Sequence, residues 1–416
     1  MPYMPRVADA ELRERIASAG AVLIEGAKAC GKTETALQIA RSVVRLDIDQ
    51  SARLAAQTAP GLLLAGEVPR LIDEWQVVPE TWNLIRHEVD TRQRTGQFVL
   101  TGSATPADDP LRHTGAGRFS ILRMRPMSLF ESGHSTAKIS LRDLLDGSTP
   151  NATDTKMTVE RLAERITVGG WPAYQDLAVI EAARANRDYL QQIRDVDIPR
   201  VDSSHRDRVR VKALMGSLAR NVSTEASMRS LAADAGVDGT PMDRRTVDAY
   251  LETLERLMVI EDQPAWAPHL RSKARLRNAP KRHYVDPSLA VAALGAGPDM
   301  LLRDLNALGL LFESLVIRDL RVYAAPNDGS VLHHRDSNGV EVDAIVTLAD
   351  GRWGAFEIKL GAGLIEDGAA GLHRFTASID TTKSGEPAVL GVITGTGYGY
   401  RRPDGICVIP IAALSP

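Results

Sequence analysis

Short apolar runs separated by helix-compatible stretches organise the first third of the chain. Ala21-Val22-Leu23-Ile24 reads as a strand, and Glu34 to Ala40 reads as the helix behind it. Further strands are expected at Val43 to Asp49, at Gly61-Leu62-Leu63-Leu64 with Pro69 to Glu74, at Gln97 to Ser103 and at Phe119 to Arg123. Strands that alternate with helices imply a parallel sheet covered on both faces, and ligands of such sheets gather at the carboxyl ends of the strands. Leu12 and Ile16 among charges predict a short amphipathic helix over residues 8 to 19.

After this sheet the pattern changes. Residues 132 to 160, rich in Ser, Thr, Asp and Gly, read as a surface excursion, and residues 159 to 222 read as helices. Val211, Leu214, Met215, Leu218 and Val222 fall on one helical face, a stripe that core packing explains. Then come a short helix from Ala226 to Ala235, the turn Gly236-Val237-Asp238-Gly239, and a longer helix with Val247, Tyr250, Leu251, Leu254 and Leu257 on one face. With strand-like Met258-Val259-Ile260 and His283-Tyr284-Val285 these predict a helix-turn-helix with a wing. Towards the carboxyl end, Phe312 to Val316 sits on an apolar helix, while Val340 to Val346 and Trp353 to Lys359 alternate as strands.

The first strand runs directly into Gly26-Ala27-Lys28-Ala29-Cys30-Gly31-Lys32-Thr33. Two glycines five residues apart let backbone N–H groups turn toward a phosphate, and the helix start adds its positive dipole end. In such a loop Lys32 reaches the β- and γ-phosphates of ATP and Thr33 ligates Mg²⁺. Asp73-Glu74 closes a later strand: Asp73 suits the Mg²⁺ shell and Glu74 suits proton acceptance from the attacking water, the division of labour that phosphoryl transfer requires. Thr101 or Ser103, at a neighbouring strand end, either contacts the γ-phosphate or water, or caps the next turn. His113 to Arg118 forms a loop ending in an arginine, so Arg118 is a candidate finger or sensor in cis or in trans, ahead of Arg123 and Arg125.

Two further constellations lie downstream. Arg271, Lys273, Arg275, Arg277, Lys281 and Arg282 form a strip without an acidic residue, which suits a nucleic-acid backbone or, alternatively, docking to a partner or plain solvation. Asp343 followed by Glu357-Ile358-Lys359 on the next strand is the pattern of restriction-type nucleases: Asp343 and Glu357 as Mg²⁺ ligands, Glu313 as a further ligand, and Lys359 positioning water. Glu357 and Lys359 share a strand face. Asp343 joins them only if the hairpin has a three-residue loop, Ala349-Asp350-Gly351, with Gly351 at positive φ; a two-residue loop at Asp350-Gly351 would oppose Asp343 to Ile358.

Composition narrows this picture. At 416 residues the chain exceeds one ordinary core, and a net charge of -3 confines any nucleic-acid surface to a local patch. No apolar run is long enough for a membrane span and no leader pattern opens the chain, so a cytoplasmic location without membrane contact is expected. The two cysteines, Cys30 and Cys407, suggest neither a disulfide framework nor a metal cluster; Cys30 reads as a small side chain tolerated in the loop or as a redox-sensitive thiol.

The chain resembles the bacterial and archaeal AAA-type ATPases, related to the origin-recognition and STAND branches, that carry a C-terminal restriction-endonuclease-like (PD-(D/E)xK) domain. The matching segments are Gly26 to Thr33, Leu71 to Gln76, Leu100 to Ser103, Gly117-Arg118, Arg125 to Glu131, Gly169-Gly170-Trp171-Pro172 and the C-terminal carboxylates. The resemblance implies an α/β fold: a P-loop NTPase parallel sheet in 1–131, a linker excursion and helical lid in 132–210, a winged helix in 211–290 and the α/β nuclease-like domain in 291–416. The expected activity is Mg²⁺-dependent ATP hydrolysis coupled to a nucleic-acid-associated C-terminal domain. The alternative is an ATP-driven signalling or partner-docking switch, with a homo-oligomer or another protein as partner and the nuclease-like domain as a scaffold.

Overall fold

A computed structural model describes residues 2–102, 114–201, 207–236, 239–268 and 279–416. Ser103 and His113, and Arg271, Lys273, Arg275 and Arg277 of the cationic strip, lie outside the described residues.

Helix α1 (Ala8–Ser18) leads into β1 (Ala21–Glu25), the phosphate loop and the short α2 (Lys32–Leu37). Then follow β2 (Ser42–Arg45), α3 (Gln50–Thr58), α4 (Pro60–Leu64), β3 (Arg70–Asp73), α5 (Thr81–Arg92), β4 (Phe98–Gly102) and β5 (Phe119–Arg123). The strands form one parallel sheet in the order β2-β3-β4-β1-β5. Gly61 to Leu64 is helical, not strand, because Pro60 at the first turn supplies a helix-ready φ. Asp49, read as the end of a strand, instead caps α3 by accepting from Ala52 N–H at 2.9 Å.

Residues 132 to 160 are largely exposed, as a surface excursion would be, but a few apolar positions anchor them to the core. Here β6 (Ile139–Ser140) pairs with the last strand of the chain, and α6 (Leu141–Leu145) buries Leu141, Leu144 and Leu145. The polar majority of the segment hides these few apolar positions, which close on a surface supplied some 270 residues later, Ser135 donating to the Leu414 carbonyl at 2.6 Å. Helices α7 (Val159–Val168) and α8 (Val179–Gln192), a π-helical turn over Ile193–Asp197 and α9 (Ile198–Val201) come next. They are followed by α10 (Arg208–Arg220), α11 (Met228–Asp234), α12 (Arg244–Arg256) and the antiparallel pair β7 (Ile260–Gln263) and β8 (Lys281–Tyr284).

After α13 (Pro287–Ala293) and α14 (Pro298–Arg303), α15 (Leu305–Ala324) is apolar on nearly every face and is accordingly buried over most of its length. Around it fold β9 (Ser330–Arg335), β10 (Glu341–Thr347), β11 (Trp353–Lys359), α16 (Ile365–Ser378), β12 (Val389–Thr394), β13 (Tyr400–Arg401), β14 (Cys407–Pro410) and β15 (Leu414–Ser415). The sheet runs β13-β14-β12-β11-β10-β9, antiparallel from β9 to β11 and parallel from β11 to β14. One hydrophobic cluster extends without a break from Leu12 through α15 to Leu414. Among the described residues no helix is long and apolar enough to cross a membrane.

Candidate functional site

The phosphate loop is shaped by two constraints. A Cβ on Gly26 would lie 2.1 Å from the Met124 carbonyl oxygen, and Gly31 adopts φ +104° at the start of α2, so each position admits only glycine without strain. Cys30 is fully buried, its thiol 3.7 Å from the Met124 carbonyl, and packs as a small side chain. Arg6 supports the loop from beneath: its guanidinium donates to the Cys30 carbonyl at 2.7 Å and the Arg125 carbonyl at 2.8 Å, and pairs with buried Glu131 at 3.0 Å. The sequence reading missed Arg6, which stands among the first residues without a recognisable motif.

The other chemical groups converge at the carboxyl ends of β1, β3 and β4. Thr33 donates its hydroxyl to Asp73 Oδ1 at 2.8 Å, and Thr101 donates to the same oxygen at 2.5 Å. Thr101 in turn accepts the Glu74 N–H at 3.3 Å, so it aligns both members of the acidic pair. Glu74 sits at φ +54°, a left-handed turn that carries its side chain away from the strand and against the Gln76 amide. Lys32 is buried, donating to the carbonyls of Gly26 at 3.0 Å and Ala27 at 2.8 Å. Lys28 turns outward to Asp197 at 2.5 Å, and Tyr189 donates to its carbonyl at 3.4 Å, so α8 and the π-turn touch the loop directly.

A hard cation prefers oxygen ligands, and a hydroxyl and a carboxylate held 2.8 Å apart beside a phosphate loop match that preference. The donor set of Thr33 and Asp73 therefore fits a hard divalent cation.

Arg118 is not part of this cluster. It precedes β5, its carbonyl accepts the Ala21 N–H at 3.1 Å, and its guanidinium pairs with Asp90 at 2.8 Å. That places it at the amino end of the sheet, about 16 Å of strand from the loop, so an arginine finger in cis is corrected. Arg125 is buried against Glu261 at 2.6 Å, and Arg123 lies 3.7 Å from the same carboxylate.

The C-terminal carboxylates do meet. The hairpin between β10 and β11 closes with Leu348 N–H donating to the Arg352 carbonyl at 2.9 Å, leaving Ala349-Asp350-Gly351 as its loop with Gly351 at φ +90°. Ala344 pairs with Phe356, so the register sets Asp343 opposite Glu357, as the three-residue loop requires. A shift against β9 between Val342 and Ile345 is a bulge that turns Asp343 inward, where it accepts the Ile358 N–H at 2.9 Å.

What surrounds these groups differs from expectation. Lys281, expected in the cationic strip, is buried and pairs with Glu313 at 2.8 Å and Asp343 at 3.4 Å. Lys359 pairs with Glu357 at 2.6 Å and Asp343 at 3.4 Å. Burial pushes the Glu313 carboxyl up to about 8, Asp343 adding to the shift, and the same two causes push Glu357 up to about 7. Asp343 stays below its ordinary value because Lys281 and Lys359 outweigh its burial. Among the described residues no three His, Cys, Asp or Glu side chains are arranged to hold a metal ion. The expected Mg²⁺ set of Glu313, Asp343 and Glu357 thus meets two ammonium groups, Lys281 on Glu313 Oε1 and Asp343 Oδ1, and Lys359 on Glu357 Oε2 and Asp343 Oδ2. Arg282, the other described member of the strip, lies 3.7 Å from Asp262 and donates to the Ala226 carbonyl at 3.2 Å.

Beside this cluster His283 lies 3.0 Å from Gln263 Oε1 and 3.2 Å from the Ser314 hydroxyl. Burial holds it well below its usual range, so the ring is neutral. Gln263 donates to the Leu332 carbonyl at 3.0 Å and the Asp343 carbonyl at 2.9 Å. The β7–β8 pair is thereby fastened over the carboxylates.

Comparison with known proteins agrees with the amino-terminal geometry. The AAA domain family matches residues 18–132, the segment that holds the parallel sheet and the loop from Gly26 to Thr33. Residues 159–300 match a domain of unknown function (DUF8612), and residues 308–414 match another (DUF4143). Uncharacterized proteins of Mycobacterium bovis and Mycobacterium tuberculosis are each 25% identical over 366 residues, covering 85% of this chain and 73% of theirs. A solved Walker-type ATPase of Pyrococcus abyssi overlaps 70% of this chain and 96% of its own, with a TM-score of 0.42 and 13% identity.

Proposed function

We propose that this protein is a Mg²⁺-dependent ATPase that uses nucleotide state to reposition its helical middle segment and C-terminal domain. The observation that carries this reading is the bridge from Thr33 through Asp73 Oδ1 to Thr101, built across three strand ends beside the phosphate loop. Thr33 and Asp73 would hold Mg²⁺, which would supply neutralisation of the charge developing on the phosphoryl oxygens. Lys32 exchanges its bonds to the Gly26 and Ala27 carbonyls for phosphate oxygens. Glu74 orients the attacking water and accepts its proton, while Thr101 fixes the Asp73-Glu74 turn. The contacts of Lys28 with Asp197 and Tyr189 give the helical segment a direct sense of loop occupancy. An arginine acting on the phosphate from Arg118 would come from a neighbouring copy.

For the C-terminal half, the partner-docking switch is better supported than a nuclease, because every carboxylate of the nuclease-like set is already matched by Lys281 or Lys359. In this reading α10 to β8 serve as a winged-helix docking element, and the basic residues Arg271, Lys273, Arg275 and Arg277, without the buried Lys281, supply salt-sensitive contacts to a nucleic acid or an acidic protein surface. Lys32→Ala tests the first half: binding of a fluorescent ATP analogue should fall by at least about 100-fold, roughly 2.7 kcal/mol, and unchanged binding would refute the site. For the second half, plasmid, single-stranded DNA and RNA should survive incubation with wild type and with Asp343→Ala/Glu357→Ala alike. Cleavage by wild type that the double variant lacks would restore the nuclease reading.

A further inference from the structure

The restriction-type pattern and the geometry disagree at one residue. Lys281 enters the carboxylate pocket from β8, an element outside the strands and helix that carry Asp343, Glu357 and Glu313. Both oxygens of Asp343 are engaged: Oδ1 by Lys281 at 3.4 Å, Oδ2 by the Ile358 N–H at 2.9 Å and by Lys359 at 3.4 Å. Glu313 gives Oε1 to Lys281 at 2.8 Å, and Glu357 gives Oε2 to Lys359 at 2.6 Å. The side chains of Lys281, Glu313 and Asp343 are only 10%, 11% and 13% exposed, so water does little to screen them.

We propose that Lys281 is a built-in counter-cation that excludes divalent metal ions from this pocket, making it a latch between the β7–β8 pair and the C-terminal sheet instead of a metal centre. Even with all three acids ionised, the two ammonium groups leave a formal charge of only -1. An octahedral or larger oxygen shell for Mg²⁺ or Mn²⁺ needs the same lone pairs, and the incoming cation is repelled by ammonium groups at close range in a poorly screened pocket. Lys281 cannot simply swing away. His283, two residues on along the same strand face, is held by Gln263 and Ser314, and β8 pairs with β7 from Lys281 to Tyr284. Expelling Lys281 therefore means lifting the β7–β8 pair, which ties the pocket to the element between the helical segment and the C-terminal sheet. This inference is independent of ATP turnover and stands or falls separately.

Mn²⁺ titration of the full chain without nucleotide, followed by the resonance signal of free Mn²⁺, tests it. Any C-terminal site appears as the difference between a protein and its Asp343→Asn counterpart, which cancels binding at Thr33 and Asp73. Wild type and Asp343→Asn should titrate alike. Lys281→Gln, which removes the charge but keeps a donor, should gain one Mn²⁺ per chain bound at least about tenfold more tightly than by wild type; Lys281→Gln/Asp343→Asn should lose it, and Lys281→Arg should not gain it. A wild-type site that Asp343→Asn abolishes would overturn the proposal, and so would a folded Lys281→Gln without a new site. The wild-type comparison decides even if Lys281→Gln does not fold.

Discussion

Asp73 carries the most chemistry for its size. One of its oxygens receives hydroxyls from Thr33 and Thr101, which fixes the carboxylate before any nucleotide arrives. Asp73→Asn keeps the shape but loses the charge, so the tightening of ATP binding by Mg²⁺ should shrink by about tenfold or more while Mg²⁺-free binding changes little; isothermal titration with and without the metal measures both. Glu313 offers a second test, through pH. Its folded value near 8 lies above the ordinary carboxyl value of 4.5, so the folded state holds the proton more tightly than the unfolded chain. The stability it contributes is complete below pH 4.5 and is lost as pH rises through 8. The stability of wild type relative to Glu313→Gln, from urea unfolding at several pH values, should therefore fall across that window. The chemical identities of Lys32, Asp73 and Glu74 were legible in the sequence because a loop, a strand end and a helix start must coincide there. Arg6 and Asp197 were not, since nothing local marks a side chain whose partner lies more than a hundred residues away.

Among elements, the β10–β11 hairpin was legible down to its loop because strand alternation leaves one register that unites Asp343 with Glu357. Lys281 was misread for want of the same rule. Within Lys281-Arg282-His283-Tyr284, alternation puts positions 281 and 283 on the face toward the carboxylates and 282 on the other, against Asp262 and the Ala226 carbonyl, so the run is a strip in sequence but not in space. The turn after α7 shows how tightly elements are joined: Met127 donates to the Gly170 carbonyl at 2.6 Å, and a Cβ on Gly170 would lie 2.2 Å from the Met127 carbonyl oxygen. Gly170→Ala must push two backbones apart. A loss of about 1–3 kcal/mol is expected from thermal or urea unfolding, and a neutral result would mean this junction is looser than its contacts indicate.

At the scale of the molecule, a buried Asp286–Arg318–Asp319 network joins the parts. Arg318 pairs with both acids at 2.7 Å; Asp286 accepts the Gly170 N–H at 2.9 Å and Asp319 the Leu129 N–H at 3.0 Å. The end of the nucleotide domain, the helical segment and α15 thus meet at one charge cluster. Arg318→Met would leave two buried carboxylates uncompensated, and a loss of about 3–5 kcal/mol is expected in urea unfolding; a loss under about 1 kcal/mol would remove this network as the joint. This joint was invisible in the sequence, as was the docking of residues 132–160 onto the chain end, because both depend on pairings between distant segments. The same continuity makes the phosphate loop the natural place to test the whole arrangement. The most direct measurement is steady-state ATP hydrolysis by wild type and Glu74→Gln, with nucleotide binding recorded in parallel. Wild type should hydrolyse ATP only with Mg²⁺, and Glu74→Gln should bind ATP as tightly while turning it over at least about 100-fold more slowly, the scale set by a lost catalytic base. Equal turnover by the two proteins, or no nucleotide binding by either, would contradict the assignment of this site.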